Sequence, residues 1–263
     1  MEFSEKYGPW ALVTGASAGL GAAFAESLAK RGMHLLLTAR RENRLDDITN
    51  RLTSQYGIDV VSIPLDLCAP AAVEALANKA AKYEIGLVIA NAGFGWAGPF
   101  LQQDPERLKE MVKLNCEVPA LMARTFLPEL ENQGRGGFMI IASTAGHVAT
   151  PWMAAYGATK AFDLHLGEAL AIELKGKGID VLAVCPGSTK SEFHELANIK
   201  APVFRGIHAT AESLAEGAIN SLGRKPSWIH GFANRFSLLI TKYLPRKLAT
   251  WITGKALSKH YRS

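Results

Sequence analysis

The chain has 263 residues, 48% of them apolar, which is enough to bury one large hydrophobic core or at most two small ones. No run of eighteen apolar residues occurs and the opening residues are polar, so neither a transmembrane helix nor a secretory signal is expected. The net charge of +5 comes from the C-terminal part, because nine basic and no acidic residues follow Glu216; no nucleic-acid-binding motif accompanies it, and no nucleic-acid partner is expected.

Short apolar runs alternate along the chain with longer segments whose apolar residues recur at helical spacing. The runs predict strands at residues 10–15, 33–38, 58–64, 86–90, 137–142 and 179–185. The other segments predict helices at 22–31, 41–56, 69–83, 105–130 and 153–177, the fourth broken near Pro119 and Pro128. Such alternation predicts one doubly wound α/β domain with a parallel sheet covered on both faces. We expect this domain to span residues 1–232, with a helical extension over 233–263.

The loop after the first predicted strand is rich in small residues: Thr14-Gly15-Ala16-Ser17-Ala18-Gly19-Leu20-Gly21. Small residues let the backbone approach a pyrophosphate, and the N-terminus of the following helix supplies N–H donors. The spacing of the glycines differs from G-x-G-x-x-G, and an ordinary tight turn is the alternative. Its place after the first strand of an alternating pattern favours a dinucleotide-binding loop.

The end of the second predicted strand bears on the choice of cofactor. An acidic residue there would accept the ribose 2′-hydroxyl and repel a 2′-phosphate, but the chain has Arg40 and Arg41 instead. Arginine is suited to bidentate phosphate recognition, although both side chains could also be solvated charges at a helix start. Arg40 comes first after the strand and is the better candidate, so NADP(H) is predicted over NAD(H).

A phenol and an ammonium lie four residues apart in the long helix predicted at 153–177. In a helix, Tyr156 and Lys160 share one face, and a lysine beside a phenol favours the phenolate. Lowering the tyrosine pKa by about 2–3 units would let it exchange a proton near neutral pH. Tyr243 and Lys247 have the same spacing, but Pro245 lies between them. Ser143, thirteen residues before Tyr156, is a candidate to hold a substrate oxygen, with a strand-end turn serine as the alternative.

These motifs occur in an order that resembles the short-chain dehydrogenase/reductase family over about residues 10–232. The ordered set is the loop 14–21, Asn91-Ala92-Gly93, Asn115, Ser143, Tyr156, Lys160 and Pro186-Gly187. Within the family the chain is most similar to bacterial NADP-dependent members related to steroid dehydrogenases and 3-oxoacyl reductases. The resemblance implies a Rossmann-type fold and hydride transfer between a nicotinamide and a carbonyl or alcohol group.

The resemblance also implies roles for single residues. Tyr156 would be the acid/base, Lys160 would lower its pKa and bind the nicotinamide ribose, and Ser143 would hold the substrate oxygen. Asn115 would hold a water that relays protons to Lys160. Cofactor contacts are implied for Gly15, Ser17, Gly19, Leu20, Gly21, Arg40, Asp66, Leu67, Asn91, Gly93, Tyr156, Lys160, Pro186, Gly187 and Thr189.

The chain departs from the family pattern at two positions. Ala90 replaces a frequent second asparagine, which should cost little. Ala18 stands where NADP-using members often have a basic residue, so the 2′-phosphate depends on Arg40, aided by Ser17 and Arg41.

Apolar residues surround the expected site and suggest a hydrophobic substrate such as a steroid, an acyl chain or an aromatic ketone. The segment 188–208 would form a mobile lid with apolar side chains. The alternative is that these residues are core. The flanking residues are Phe94, Trp96, Phe100, His147 and Trp152.

The C-terminal extension from Phe236 is basic and amphipathic, with Pro245 interrupting its helical pattern. It could contact a partner subunit, an anionic membrane surface or its own domain. Relatives in the family are commonly homodimers or homotetramers. Three cysteines, odd in number and spaced unlike a metal site, favour reduced thiols in a cytoplasmic protein without a metal.

The leading functional prediction is an NADPH-dependent carbonyl reductase. An alcohol dehydrogenase working in the oxidative direction uses the same residues, and a non-catalytic NADP-binding regulator uses the same fold. The intact set of Ser143, Tyr156 and Lys160 argues against the regulator, which would not need it.

Overall fold

The computed structural model describes residues 3–187 and 210–261. Within them, seven parallel strands form one sheet in the order β3-β2-β1-β4-β5-β6-β7. The strands are β1 (Trp10–Thr14), β2 (His34–Ala39), β3 (Val60–Pro64), β4 (Ile85–Ala90), β5 (Gly136–Ile141), β6 (Ile179–Cys185) and β7 (Ser227–Ile229). The first six strands begin and end within two residues of the predicted bounds, so these six predictions are confirmed. The doubly wound, Rossmann-type α/β fold is therefore confirmed.

Helices cover both faces of the sheet. They are α1 (Phe3–Tyr7), α2 (Gly19–Ala29), α3 (Glu42–Tyr56), α4 (Ala72–Ala80), α5 (Pro105–Val112), α6 (Val118–Asn132), α7 (Ala154–Glu173), α8 (Ala211–Ile219), α9 (Phe232–Tyr243) and α10 (Arg246–Tyr261). Every residue of β4 and β5 is buried, as expected for strands that are covered on both faces.

The sheet separates two hydrophobic cores. On one face, Phe24 and Leu28 of α2 pack with Leu45 of α3 and Leu214 of α8, all fully buried. The other core is built mainly from α4 and α6, with Leu76 and Met122 fully buried. Burying a side chain of this size contributes about 1.5–3 kcal/mol.

The strand order reverses beside β1, whose Val13 pairs with Leu37 of β2 on one side and Ile89 of β4 on the other. In open parallel sheets, ligands bind at such a switch point, beyond the carboxyl ends of the strands. The loops that follow β1, β4 and β5 therefore frame the candidate site.

The prediction for residues 105–130 needs one correction. Helix α5 passes through a π-helical turn at Lys113–Glu117 into α6, and Pro119 lies in the first turn of α6, where its missing N–H costs little. A break at Pro128 was wrong, because α6 continues through it to Asn132. The buried face of α6, which includes Phe126 and Leu130, offsets the lost hydrogen bond.

The structure adds α1, α8 and β7, which the sequence patterns did not predict. Strand β7 is an edge strand of three residues beside β6, too short for a periodic signal. The interruption at Pro245 is confirmed, since α9 ends at Tyr243 and α10 begins at Arg246. The predicted lid at 188–208, with Thr189, lies outside the described residues.

Candidate active site

The tyrosine and lysine predicted to act together lie on one buried face of α7. Tyr156 is 7% exposed and Lys160 is 6% exposed. Ser143 follows β5 and accepts a hydrogen bond from the backbone N–H of Ala145 at 3.1 Å, which fixes the turn. The Ser143 side chain also hydrogen-bonds Tyr156. The structure thus brings together the three residues that the sequence placed in order.

The ammonium of Lys160 is held by two acceptors. Its Nζ donates to the carbonyl oxygen of Ile141 at 2.7 Å and to Oδ2 of Asp163 at 2.8 Å. Asp163 is itself only 1% exposed. Asp163 was not among the predicted site residues, although an acid three residues after a lysine on a helix is a recognisable ion-pair signal.

The charges around Tyr156 correct one expectation. Burial raises the pKa of Tyr156, while Lys160 and Ser143 lower it and Asp163 raises it; the net direction is upward. The predicted lowering toward neutral pH is therefore not present in the protein alone, because desolvation exceeds the effect of the lysine. Burial lowers the pKa of Lys160, but the combined opposite effect of Asp163 and Tyr156 is larger. The net direction is upward, so the amine stays charged.

Asn115 is fully buried in the π-helical turn. Its Oδ1 accepts from the N–H of Phe94 at 3.1 Å, and its Nδ2 donates to the Phe94 carbonyl at 2.9 Å and to Thr159 Oγ1 at 3.0 Å. The Thr159 hydroxyl in turn donates to the backbone carbonyl of Tyr156. Asn115 therefore ties the loop after β4 to the helix that carries the tyrosine.

The glycine loop has the shape of a phosphate cradle. Gly15 and Gly19 have φ angles of 66° and 54°, which favour glycine. A Cβ on Gly15 would lie 2.9 Å from Nδ2 of Asn91, and one on Gly21 would overlap the Gly15 carbonyl. Ala18 provides no side-chain cap to α2, so the N–H groups of the first turn keep their capacity for an anion. Asn91 braces the loop by donating to the Thr14 carbonyl at 2.8 Å.

The two arginines after β2 point to different partners. Nη1 of Arg40 lies 3.2 Å from Oε1 of Glu110, and the side chain is 63% exposed. Nε and Nη2 of Arg41 donate to Oγ of Ser17 at 3.2 and 3.0 Å. The structure therefore places Arg41, rather than the favoured Arg40, against the glycine loop.

The remaining predicted cofactor residues lie along the same edge of the sheet. Oδ1 of Asp66 accepts from the N–H of Cys68, and Leu67 is buried. Gly93 adjoins Asn115, since a Cβ there would lie 2.9 Å from its Oδ1. Leu20 and Gly21 lie in the first turn of α2. Pro186 and Gly187 follow β6, and the Pro186 carbonyl accepts from the N–H of Thr144.

Apolar side chains surround the tyrosine. Tyr156 forms a buried cluster with Ala97, Met111 and Met153, against which the partly buried Phe94, Trp96 and Trp152 pack. Phe100 and His147 are exposed and lie outside this cluster. The predicted apolar flank is thus present for three of its five residues.

The backbone at Trp152 is strained. Its φ of 71° is unusual for a bulky residue, and its carbonyl accepts from the N–H of Gly98 at 2.7 Å. Such a conformation costs about 1–3 kcal/mol and persists only where its surroundings impose it, often beside a functional site. The sequence contains no signal for it.

The site therefore combines hydroxyl donors, a buried cation and a phosphate cradle at one edge of the sheet. Ser143 and Tyr156 can both donate to one substrate oxygen, and Lys160 can stabilise negative charge on the phenol. This arrangement is suited to moving a proton to or from an oxygen beside a bound dinucleotide.

Comparisons with known proteins agree with this geometry. The family model described as short chain dehydrogenase matches residues 9–201. The chain is 29% identical to a 7beta-hydroxysteroid dehydrogenase of Collinsella aerofaciens, covering 90% of this chain and 92% of that one. It is 28% identical to a very-long-chain 3-oxoacyl-CoA reductase of Bos taurus, covering 97% and 82%. A solved short-chain dehydrogenase from Sphingobium yanoikuyae in complex with NADPH superposes with a TM-score of 0.81 at 34% identity, covering 89% and 93%.

Proposed function

This chain belongs to the short-chain dehydrogenase family, and we propose that within it the chain is an NADPH-dependent reductase of hydrophobic carbonyl compounds. Membership makes it an oxidoreductase that acts on hydroxyl or carbonyl groups with a nicotinamide cofactor. The finer proposal is carried by one observation: Ser143, Tyr156 and Lys160 are buried together, and Tyr156 is part of an apolar cluster.

The residues present fit the dinucleotide. Gly15, Gly19, Leu20 and Gly21 would approach the pyrophosphate, because the first turn of α2 has no side-chain cap and a Cβ at Gly15 or Gly21 would clash with Asn91 or the Gly15 carbonyl, so the tight path of the loop depends on glycine there. We assign the 2′-phosphate to Arg41 and Ser17, and a smaller part to Arg40, whose side chain lies toward Glu110. Further contacts are proposed for Asp66, Leu67, Asn91, Gly93, Pro186, Gly187 and Thr189. When bound, the nicotinamide supplies the hydride.

The proton chemistry belongs to the chain's own residues. Ser143 and Tyr156 donate hydrogen bonds to the substrate oxygen, and Tyr156 transfers its proton as negative charge develops there. The ammonium of Lys160 stabilises the phenolate that remains. Pro119 has no N–H and so offers no α-helical donor to the Asn115 carbonyl, which supports a water at that carbonyl as the path for reprotonation.

The reductive direction is supported by the charges at the site. Reduction needs a protonated phenol, whereas alcohol oxidation needs a phenolate. Because burial raises the pKa of Tyr156, the phenol stays protonated at neutral pH. This favours carbonyl reduction over the oxidative alcohol dehydrogenase.

The substrate class follows from the apolar surroundings of Tyr156 and from the relatives. Phe94, Trp96 and Trp152 offer apolar surface beside the hydroxyl groups. The relatives are named for steroid and 3-oxoacyl substrates. We propose a carbonyl group on a steroid-like, acyl or aromatic framework.

Turnover of NADPH with a panel of ketones and aldehydes tests the proposal, with Tyr156→Phe as the variant. We expect Tyr156→Phe to keep NADPH binding and to lose most of the turnover, because the ring packing remains while the proton donor is gone. An unchanged rate would refute the role of Tyr156. NADPH binding without turnover of any carbonyl or alcohol would favour the regulator instead.

The outer surface supports a homo-oligomer, either a dimer or a tetramer. Val112, Leu121 and Phe162 on α5, α6 and α7 are apolar and 41–46% exposed. A second copy would cover them.

The two helices of the C-terminal extension support two of the predicted contacts, one with its own domain and one with a membrane surface. Helix α10 docks on its own domain, because Ala249 and Leu257 are buried and Gly254 packs against Pro151. Helix α9 and the outer face of α10 expose apolar side chains: Phe232, Phe236, Leu239, Ile240, Tyr243, Leu248, Trp251 and Ile252. With nine basic and no acidic residues after Glu216, we propose weak peripheral contact with an anionic membrane surface.

No helix among the described residues is long and apolar enough to cross a membrane. The three cysteines are free thiols. Their state supports the cytoplasmic location, which stays a prediction.

A further inference from the structure

A buried carboxylate lies next to the proposed catalytic lysine and has no role in the mechanism above. Oδ2 of Asp163 accepts from Lys160 Nζ at 2.8 Å, and the two side chains are 2% and 7% exposed. Oδ1 of Asp163 is also buried and has no hydrogen-bond partner among the described residues. A carboxylate that leaves one oxygen unpaired in the interior is costly.

Stability alone explains this pair poorly. Removing two charges from water costs about as much as their attraction returns, so buried ion pairs are weak evidence for a stabilising role. The unpaired Oδ1 adds to that cost. A buried carboxylate that costs this much free energy beside a proton-transfer group indicates instead a role in catalysis.

The groups that face the pair can be named. Tyr156 on α7, Cys116 in the π-helical turn and Cys185 at the end of β6 interact electrostatically with Lys160 and Asp163. Burial raises the pKa of the Cys116 thiol to about 11 and that of Cys185 to about 12, so both stay neutral near pH 7. The charges at the site therefore reduce to one ammonium and one carboxylate.

We propose that Asp163 is a positioning residue that keeps Lys160 charged and oriented, and whose negative charge acts on the proton equilibrium of Tyr156. This inference rests on the proposed function of Tyr156. Lys160 uses one N–H for Asp163 and one for the Ile141 carbonyl, which fixes the ammonium and leaves its third N–H for the ribose that the resemblance assigns to it.

The sign of the effect follows from the charges. Asp163 opposes ionisation of Tyr156, and burial opposes ionisation of Asp163 itself. The ionised form of Asp163 is favoured by the geometry, because a neutral acid would leave the buried ammonium of Lys160 without a negative partner charge. Replacing Asp163 by asparagine keeps the shape and an acceptor for Lys160 but removes the negative charge. The tyrosine–lysine pair then loses its first proton at lower pH.

The test compares Asp163→Asn, Asp163→Glu and a matched control, Asp180→Asn. Asp180 also contacts a tyrosine and a lysine, Tyr7 at 2.9 Å and Lys6 at 2.6 Å, but it lies at the start of β6. Tyrosinate absorbance is titrated in each protein and in its Tyr156→Phe counterpart, and the difference isolates Tyr156. This readout needs no turnover, so it tests Asp163 even if no carbonyl compound is reduced.

We expect the Tyr156 midpoint to fall by about one pH unit or more in Asp163→Asn, the lower end of the range for one neighbouring charge. Asp163→Glu and Asp180→Asn should titrate like the unmodified protein. If a carbonyl substrate is found, the high-pH limb of its reduction rate should move to lower pH in Asp163→Asn only.

A folded Asp163→Asn whose Tyr156 midpoint is unchanged or higher overturns the proposal, as does an equal shift in Asp180→Asn. If Asp163→Asn does not fold, the side-chain carboxyl carbon resonance of Asp163 in the unmodified protein decides. An ionised Asp163 at neutral pH supports the proposal, and a protonated one overturns it.

Discussion

The Asn115→Ala substitution would remove three hydrogen bonds from a side chain that has no exposed surface. Two of them satisfy the backbone N–H and carbonyl of Phe94, and the third reaches Thr159. The Thr159 hydroxyl would lose the hydrogen bond from Asn115 but keep the one that it donates to the Tyr156 carbonyl, so it would remain partly satisfied. The main cost is therefore a pair of backbone groups left without partners beside the candidate site.

The magnitude follows from that count. A buried polar group that loses its partner costs about 1–3 kcal/mol, so two such groups cost about 2–6 kcal/mol. Water that enters the space vacated by the amide would restore part of this, and we expect about 3 kcal/mol. For a chain of this size, that corresponds to a fall of about 6–12 °C in Tm.

Urea denaturation followed by tryptophan fluorescence measures the loss, with Asn132→Ala as the control. Asn132 ends α6 and is exposed, so the same substitution there should change the free energy of unfolding by about 0.5 kcal/mol or less. The difference between the two variants isolates burial and hydrogen bonding from helix propensity. Equal losses for both would refute the reasoning that Asn115 ties the loop after β4 to α7.

Three further predictions concern the cofactor, an ion pair and the extension. Arg41→Ala should weaken NADPH binding far more than NADH binding in a thermal-shift titration, and Arg40→Ala should do so less; equal losses for both cofactors would make Arg41 structural. Arg31 holds the pKa of Glu216 below its ordinary 4.5, so Glu216→Gln should lower the free energy of unfolding at pH 7. This difference between the variant and the unmodified protein should vanish as the pH falls through the lowered pKa of Glu216. Phe236→Ser should reduce co-sedimentation with phosphatidylserine vesicles, and an unchanged bound fraction would contradict membrane contact through α9.

The sheet was predictable because its strands are buried on both faces. A strand such as β4 reads as a continuous apolar run, and the intervening helices carry their own period. Strand β7 has only three residues, and its position depends on pairing with β6 rather than on any local pattern. Pro128 failed as a helix breaker because the packing of α6 outweighs one lost hydrogen bond.

The candidate site was predictable where it depends on spacing along one element. Tyr156 and Lys160 share a helix face, and the glycine loop follows its strand directly. The choice between Arg40 and Arg41 depends instead on the path of the chain after β2. Only the three-dimensional arrangement turns Arg41 toward Ser17 and Arg40 toward Glu110.

The proton affinity of Tyr156 shows why a motif with correct spacing can still mislead about chemistry. The lysine acts in the predicted direction, but the larger influence is desolvation by residues far away in sequence, such as Ala97 and Met111. The spacing of Tyr156 and Lys160 gives the sign of one interaction, whereas the protonation state of Tyr156 depends on all the groups around it, including Asp163. With desolvation dominant, the phenol holds its proton through neutral pH, which is the state that carbonyl reduction requires, whereas alcohol oxidation by a dehydrogenase requires the phenolate.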